Sequence, residues 1–335
     1  MNLVGKQKAF LTTMLSALFL IGGCSKNDTK ANTGTDPVKE RFRVVGYIPR
    51  GATLSGQAGM PDFGKITHLN IAFMNPDANG DFPVDESIKN LAGQAHAKGV
   101  SVLLSIGGGS APGYLKTLLS DPHRAVLVQH LVALTVQYSC DGIDVDLEGD
   151  FIDGNYEGFV KELAVALKAK KKLITAAVAT VYADSYTNTA LAQFDFINVM
   201  SYDKTGPWNP SGAGPHAPLS MAVDDLSYWT GTRRIALAKI TLGLPFYGYG
   251  FGTNAPESMS YRDIVQQYPA ARDSDYLAVA GGGIIYYNGA ATIKAKTTLA
   301  LQKAGGVMIW QLLQDATGDY SLLTAIDSIV KKHKN

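Results

Sequence analysis

Short apolar runs recur along this chain, and stretches with the apolar spacing of a helix lie between most of them. Strands that alternate with helices are typical of a parallel sheet, because parallel neighbours need a long crossover connection. The chain of 335 residues is long enough for one barrel-sized domain. The eight apolar runs that we predict to be strands span residues 43–47, 66–73, 100–106, 143–147, 173–179, 196–200, 240–244 and 306–310.

Two architectures fit this alternation, a closed (β/α)8 barrel and a doubly wound open sheet. An open sheet of this kind often carries a glycine fingerprint after its first strand, and Tyr47-Ile48-Pro49 contains none. We therefore predict an α/β fold, a (β/α)8 TIM barrel. A small insertion is expected between strands seven and eight, from Gly252 to Gly305.

The fourth run alternates apolar and acidic residues over positions 143–148. Successive side chains on a strand point to opposite faces, so Asp144, Asp146 and Glu148 should project together. In a parallel sheet, which is covered on both faces, such a row is unfavourable unless it serves chemistry or binds a cation. Like charges this close cannot all ionise, so at least one proton should be held or shared. Acids perturbed in this way suit general acid catalysis.

A metal site is the rival use of the carboxylate row. Calcium and magnesium prefer six or more oxygen ligands, and the row supplies three side chains. The six histidines show no paired ligand spacing. The glycine-rich stretches 107–113 and 248–252 are not followed by Lys-Ser or Lys-Thr, so a phosphate loop is weakly supported. We expect no metal and no cofactor.

Residues 141–148, Asp-Gly-Ile-Asp-Val-Asp-Leu-Glu, match the pattern DGxDxDxE and so resemble the catalytic signature of the family 18 glycoside hydrolases, the chitinase-like family. Three weaker matches follow the family's order: 105–108 resembles its SxGG motif, 200–203 its MxYD motif and 306–310 its GGxMxW strand. The resemblance covers most of residues 43–330. It implies a (β/α)8 barrel that hydrolyses β-1,4 glycosidic bonds next to N-acetylglucosamine, in chitin or chito-oligosaccharides.

The resemblance also implies roles for individual residues. Glu148 would be the general acid and base, and the substrate's own acetamido group would replace the nucleophilic carboxylate of other retaining glycosidases. Asp146 would orient that acetamido group, Asp144 would share a proton with Asp146, and Tyr202 would donate its hydroxyl to the acetamido oxygen. The substrate-binding residues that we expect at the strand ends are Trp310, Asp203, Met200, Tyr47, Phe73, Gly107 and Gly108.

The chain departs from the family pattern after the seventh strand. Many chitinases carry an arginine in a YGR motif where residues 247–250 read Tyr-Gly-Tyr-Gly, and many carry a larger insertion. Both departures predict a more open groove, in which Trp208 is a candidate for a further sugar platform. An endo-β-N-acetylglucosaminidase that cuts the chitobiose core of N-glycans is therefore an alternative. A non-catalytic carbohydrate-binding relative is disfavoured, because such relatives typically lose the acid that Glu148 retains.

The N-terminus has the pattern of a targeting segment. Lys6 and Lys8 precede the apolar run 9–21, and residues 21–24 resemble a bacterial lipobox, whose cysteine is lipidated. We predict a signal peptide over residues 1–23, a lipidated Cys24 with a flexible tether to residue 40, and the catalytic barrel over 41–335. Such a protein would lie in the bacterial cell envelope, on the outer membrane or the cell surface.

Charge and cysteine content limit the possible partners. The net charge of +1 gives no electrostatic basis for binding nucleic acid. Besides Cys24 the chain has only Cys140, so no intramolecular disulfide is expected. Cys140 lies between apolar segments and should be a small buried residue rather than a nucleophile. We expect a monomer whose partners are saccharides that contain N-acetylglucosamine and, through the lipid on Cys24, a membrane.

Overall fold

The structure, a computed structural model, describes residues 41–51 and 60–334. Residues Glu40–Asn335 form one compact unit. The predicted signal peptide, the lipidation of Cys24 and the tether fall on residues 1–40, which lie outside the described residues. No helix in the described ranges is long and apolar enough to cross a membrane.

Eight parallel strands of the described chain close into a barrel, as predicted. They are β1 (Arg43–Pro49), β2 (His68–Ala72), β3 (Ser101–Gly107), β4 (Gly142–Asp146), β5 (Leu173–Val178), β6 (Phe196–Val199), β7 (Ile240–Pro245) and, after the four insertion strands β8 to β11 given below, β12 (Gly306–Trp310). Around the barrel the order is β1, β12, β7, β6, β5, β4, β3 and β2. The carboxyl ends of all eight strands therefore meet at one mouth.

Helices follow most barrel strands. They are α1 (Glu86–His96), α2 (Leu115–Leu119), α3 (Arg124–Gln137), α4 (Tyr156–Ala169), α5 (Asn188–Gln193), α6 (Leu219–Ser227), α7 (Tyr261–Gln267), α8 (Ala290–Lys303) and α9 (Leu322–Lys334). Asp85 caps α1, accepting a hydrogen bond from the backbone N–H of Ser87. Asp121 followed by Pro122 is a sequence pattern typical of a helix start, but α3 begins at Arg124. Asp121 instead accepts a hydrogen bond of 2.9 Å from the Arg124 guanidinium.

The insertion between β7 and β12 forms its own small sheet. Its strands are β8 (Tyr247–Phe251), β9 (Ser258–Ser260), β10 (Tyr276–Ala278) and β11 (Ile284–Tyr286). They are antiparallel, in the order β10, β11, β8 and β9, and α7 connects β9 to β10. The prediction that the insertion starts after Gly252 was wrong. Tyr247–Phe251 already belongs to it, because this segment pairs with β9 and β11 rather than with the barrel.

The alternation of β4 divides its side chains between two environments. Ile143 and Val145 pack outward into the apolar layer between the barrel and its helices. Asp144 and Asp146 point the other way and are buried in the barrel interior. Cys140, just before β4, is fully buried, and burial raises the pKa of its thiol to about 12. Its environment is thus that of a small core residue.

Candidate active site

Asp144 lies at the bottom of the carboxylate row and accepts four hydrogen bonds. Tyr47 and Ser105 donate to Oδ2, both at 2.7 Å. Thr175 donates to Oδ1 at 2.5 Å and the Asn198 amide to the same oxygen at 3.2 Å. Burial raises the pKa of Asp144, and all four donors act against that rise. Four strands on both sides of β4 thus fix this carboxylate and favour its ionised form.

Asp146 has a different environment one layer closer to the mouth. It is buried, and its Oδ1 has no hydrogen-bond partner in the part of the chain that the structure describes. Burial raises the pKa of Asp146 well above its ordinary value, and the charges of Glu148 and Asp144 raise it further. No donor opposes these effects, so Asp146 is the member of the row that most readily holds a proton.

Glu148 follows β4 and is the most accessible acid of the row. Its side chain faces the backbone of Gly109, where a Cβ atom would lie 3.5 Å from Oε1. Burial raises the pKa of Glu148 to about 7, and the charge of Asp203 contributes to the rise. A partly exposed carboxyl group with this pKa can donate a proton near neutral pH and take one back.

Aromatic rings from three strand ends meet above the carboxylates. Trp310, at the end of β12, stacks on Phe73 with a centroid distance of 5.6 Å and an interplanar angle of 25°. Tyr47 lies below, 5.5 Å from the Trp310 ring. Trp310, Phe73 and Met200 are only partly buried and pack on the same small apolar cluster at the mouth. Partly exposed rings of this kind can stack on the C–H faces of a sugar.

Tyr202 and Asp203 come from the loop after β6. Tyr202 is buried with its hydroxyl 3.7 Å from the sulfur of Met308, and burial raises its pKa well above the ordinary value. Its ring fits beside Gly243, where a Cβ atom would lie 2.8 Å from Cε1. Asp203 is more exposed and accepts a 2.5 Å hydrogen bond from Tyr247. The structure therefore brings Tyr202 and Asp203 to the same mouth as the carboxylates.

The family model described as glycosyl hydrolases family 18 matches residues 43–315 of this chain. The chain belongs to family 18. Its predicted resemblance to that family is confirmed, as is the (β/α)8 barrel.

Solved structures extend the comparison of this family 18 chain. The chitinase ChiB from the chitin utilization locus of Flavobacterium johnsoniae is 35% identical, with a TM-score of 0.79, and the alignment covers 88% of this chain and 96% of that one. A chitinase from Bacteroides thetaiotaomicron is 28% identical, with a TM-score of 0.72 and coverage of 88% and 98%.

Two curated relatives are covered over a smaller share of their own length. A chitinase-like effector from Moniliophthora roreri is 28% identical over 276 residues, which are 72% of this chain and 65% of that protein. Chitinase 63 from Streptomyces plicatus is 26% identical, with coverage of 80% and 56%. The family 18 chain thus spans about 56–65% of the length of these relatives.

Gly107 and Gly108 were predicted to bind substrate, and the structure places both in buried positions of the family 18 barrel. Their φ angles are +102° and +82°, which favour glycine. A Cβ atom on Gly107 would lie 2.1 Å from the backbone oxygen of Asp146, and one on Gly108 would lie 2.3 Å from the Phe73 ring. They allow close packing beneath the mouth, and their contact with substrate stays a prediction.

Sequence reasoning missed the polar residues that hold the family 18 carboxylates. Asp144 on β4 is paired in register with Ser105 on β3 and with Thr175 on β5. Asn198 is on β6 and is buried in the same interior. Each is a lone polar residue within an apolar strand, and that signal was present in the sequence. These residues lie in layers below the strand ends.

Trp208, in the loop after β6 of this family 18 barrel, lies against the insertion strand β8. Its side chain is 62% exposed, and its ring contacts Tyr249 edge-on at 5.2 Å. Trp229 is fully buried, donates its indole N–H to Thr180 and is a packing residue. Within residues 41–51 and 60–334, no group of three or more His, Cys, Asp or Glu residues could hold a metal ion.

Proposed function

We propose that this protein hydrolyses β-1,4 glycosidic bonds next to N-acetylglucosamine, in chitin or chito-oligosaccharides. The observation that carries the proposal is the environment of Glu148, which burial and Asp203 give a pKa of about 7 beside the buried Asp146. Membership of glycosyl hydrolases family 18 supports it, and so do the chitinases among its relatives.

In the first step, Glu148 would donate its proton to the glycosidic oxygen as the bond from that oxygen to the anomeric carbon breaks. The carbonyl oxygen of the substrate's acetamido group would attack the anomeric carbon from the opposite side and form an oxazolinium ion. Protonated Asp146 can turn Oδ1, which has no hydrogen-bond partner among the described residues, toward the acetamido N–H as an acceptor. Tyr202, whose hydroxyl is held protonated by its raised pKa, can donate to the acetamido oxygen.

In the second step, Glu148 would act as a base. Its carboxylate takes a proton from a water molecule, the water oxygen attacks the anomeric carbon, and the bond to the acetamido oxygen breaks. Two inversions at one carbon give overall retention of configuration. Glu148 ends protonated, ready for the next substrate. A group with a pKa of about 7 suits both roles at neutral pH.

The aromatic mouth would hold the sugar rings. Trp310, stacked on Phe73 and supported by Tyr47, would form the floor of the subsite before the cleaved bond. Met200 and Asp203 would line its side. Trp208, exposed on the edge of Tyr249, would be a platform further along the groove.

A product assay tests this proposal. The full chain would be incubated with a chito-oligosaccharide and, separately, with a glycoprotein that bears N-glycans, and the products analysed by mass spectrometry. Shortened oligomers alone support the proposal. Release of glycans that leaves one N-acetylglucosamine on the glycoprotein would support the endo-β-N-acetylglucosaminidase instead, and no product from either would favour a carbohydrate-binding protein.

Substitution of the acid completes the test. Glu148→Gln keeps the shape of the side chain and removes its acidity, so we expect turnover to fall by about 10²-fold or more while saccharide binding persists. Glu257→Gln, at an exposed position in the insertion, is the matched control and should stay active. A fully active Glu148→Gln variant would overturn the assignment of Glu148.

We also propose that the protein is anchored to the cell envelope through a lipid on Cys24. The lipobox-like residues 21–24 support this. Cys24→Ala should release the protein into the soluble fraction, whereas Cys140→Ser should not. Continued membrane association of Cys24→Ala would argue for an uncleaved anchor.

A further inference from the structure

Three side chains surround the carboxylate of Asp203, namely Tyr247, His216 and Tyr249, the last also through a side-chain hydrogen bond. Tyr247 donates a hydrogen bond of 2.5 Å to Oδ1, and the Nδ1 atom of His216 lies 3.4 Å from the same oxygen. The Asp203 side chain is nevertheless 40% exposed. A carboxylate that is held in place and partly exposed to solvent can accept a hydrogen bond from a ligand hydroxyl group without moving.

His216 is an unusual neighbour for a carboxylate at the mouth. It is fully buried, and its ring lies between Tyr247 and Tyr249, at centroid distances of 5.1 and 5.0 Å. Neither ring nitrogen has a hydrogen-bond partner among the described residues. Burying an imidazole without partners costs free energy, because its polar nitrogens lose their hydrogen bonds to water. The polar group nearest to Nδ1 of this buried imidazole is the carboxylate of Asp203.

The backbone at His216 and at the residue that follows it is held by hydrogen bonds. The carbonyl of His216 accepts a hydrogen bond of 2.9 Å from the backbone N–H of Lys204. The next carbonyl, that of Ala217, accepts from the Asn288 amide at 2.9 Å and from Nζ of the buried Lys296 at 2.8 Å. Lys296 also donates to Oδ1 of Asn288 at 2.8 Å. These contacts fix the position from which His216 faces Asp203.

We propose that His216 is a positioning residue for the hydrolysis, whose Nδ1–H donates to Oδ1 of Asp203 when a saccharide occupies the mouth. Tyr247 and His216 then hold one oxygen of Asp203, and the other oxygen receives a sugar hydroxyl. Hydrogen bonds that are long in a free enzyme commonly tighten in the complex with substrate. This inference rests on the proposed function, because it assumes that a saccharide binds beside Asp203.

The same arrangement links His216 to the general acid. The titratable groups that face the imidazole are Asp203, Tyr247 and Tyr249, and Lys296 lies behind it at Ala217. The charge of Asp203 contributes to the raised pKa of Glu148. A fixed Asp203 therefore keeps both a sugar contact and the electrostatic environment of Glu148 constant.

Three substitutions at His216 test the proposal in the full chain. His216→Phe keeps an aromatic ring without a donor, and we expect KM for a chito-oligosaccharide to rise about tenfold or more, with a smaller change in kcat. In His216→Asn the amide nitrogen lies near the position of Nδ1 and should restore most of the affinity. In His216→Gln it lies near that of Nε2 and should not. An unchanged KM in both His216→Phe and His216→Gln would overturn the proposal.

A double-mutant cycle separates positioning from general structural support. In an Asp203→Ala background, His216→Phe should change KM by less than about twofold, because its partner is gone. An equally large effect in both backgrounds would refute the role, and thermal unfolding of each variant reports on folding. Absence of shortened oligomers when the wild-type protein is incubated with a chito-oligosaccharide would instead overturn the proposed function, so the two failures can be told apart.

Discussion

The hydroxyl of Tyr47 on β1 donates a hydrogen bond of 2.7 Å to Oδ2 of Asp144 on β4, across the interior of the barrel. Both side chains are buried, and burial together with the charge of Asp144 raises the pKa of Tyr47, so the hydroxyl remains a donor. Together with the other three donors, this contact favours the ionised form of Asp144. Asp146 has no such donors among the described residues and is protonated more readily. The Tyr47 hydrogen bond thus favours protonation of Asp146, the residue that would contact the acetamido group of the substrate.

Tyr47→Phe should destabilise the fold by about 1.5–3 kcal/mol, since it removes a hydrogen bond to a buried charged group. The matched control is Tyr156→Phe, because the buried Tyr156 hydroxyl has no partner in the described structure and its loss should cost little. Denaturant unfolding of both variants measures the difference. Equal destabilisation by the two substitutions would contradict the importance of the Tyr47 contact.

The pH dependence of kcat/KM should report the pKa of Glu148. The first step needs its protonated form, so activity should decline above pH 7, approaching a tenfold loss per pH unit. Asp203→Asn removes a charge that raises this pKa, so the alkaline limb should move to lower pH. The limb should stay above the ordinary pKa of glutamate, because burial is the larger cause of the shift. An alkaline limb unmoved by Asp203→Asn would count against the coupling.

Glu148→Gln should make the protein more stable at alkaline pH. The pKa of Glu148 is about 7 in the folded protein and 4.5 ordinarily, so between these values the folded state binds more protons than the unfolded state. Stability from this group is therefore lost as pH rises through that window. We expect the Gln variant to exceed wild type by about 1–3 kcal/mol at pH 8 and to match it at pH 4. Denaturant unfolding at both pH values checks the sign, and a variant less stable at pH 8 would contradict it.

Gly108→Ala should damage both stability and activity. A Cβ atom would lie 2.3 Å from the Phe73 ring, at a φ of +82° that side chains rarely adopt. We expect a loss of about 1–3 kcal/mol in unfolding free energy, together with a raised KM because Phe73 supports Trp310. Gly113→Ala is the control, since nothing lies within 4 Å of its Cβ position. If both variants behave like wild type in unfolding and kinetic measurements, the close packing at Gly108 is unimportant.

Local patterns along the chain, together with the family resemblance, were sufficient to predict the barrel, and the patterns alone predicted the direction of its acids. Strand periodicity does not depend on distant residues, so the alternation over 143–148 already assigned Asp144 and Asp146 to one face and Ile143 and Val145 to the other. Residues at the strand ends could also be predicted to lie together, because the carboxyl ends of parallel barrel strands meet at one mouth. Phe73 and Trp310 therefore meet there, as expected.

What the periodicity could not provide was the pairing between distant segments. The four donors to Asp144 lie on β1, β3, β5 and β6, and their common level depends on the register of a closed barrel. The boundary of the insertion at Tyr247 likewise depends on pairing with strands that are later in the chain. His216 reaches Asp203 because contacts from the insertion hold its neighbouring backbone. Side-chain alternation is a property of neighbours in sequence, whereas these contacts join residues that only folding brings together.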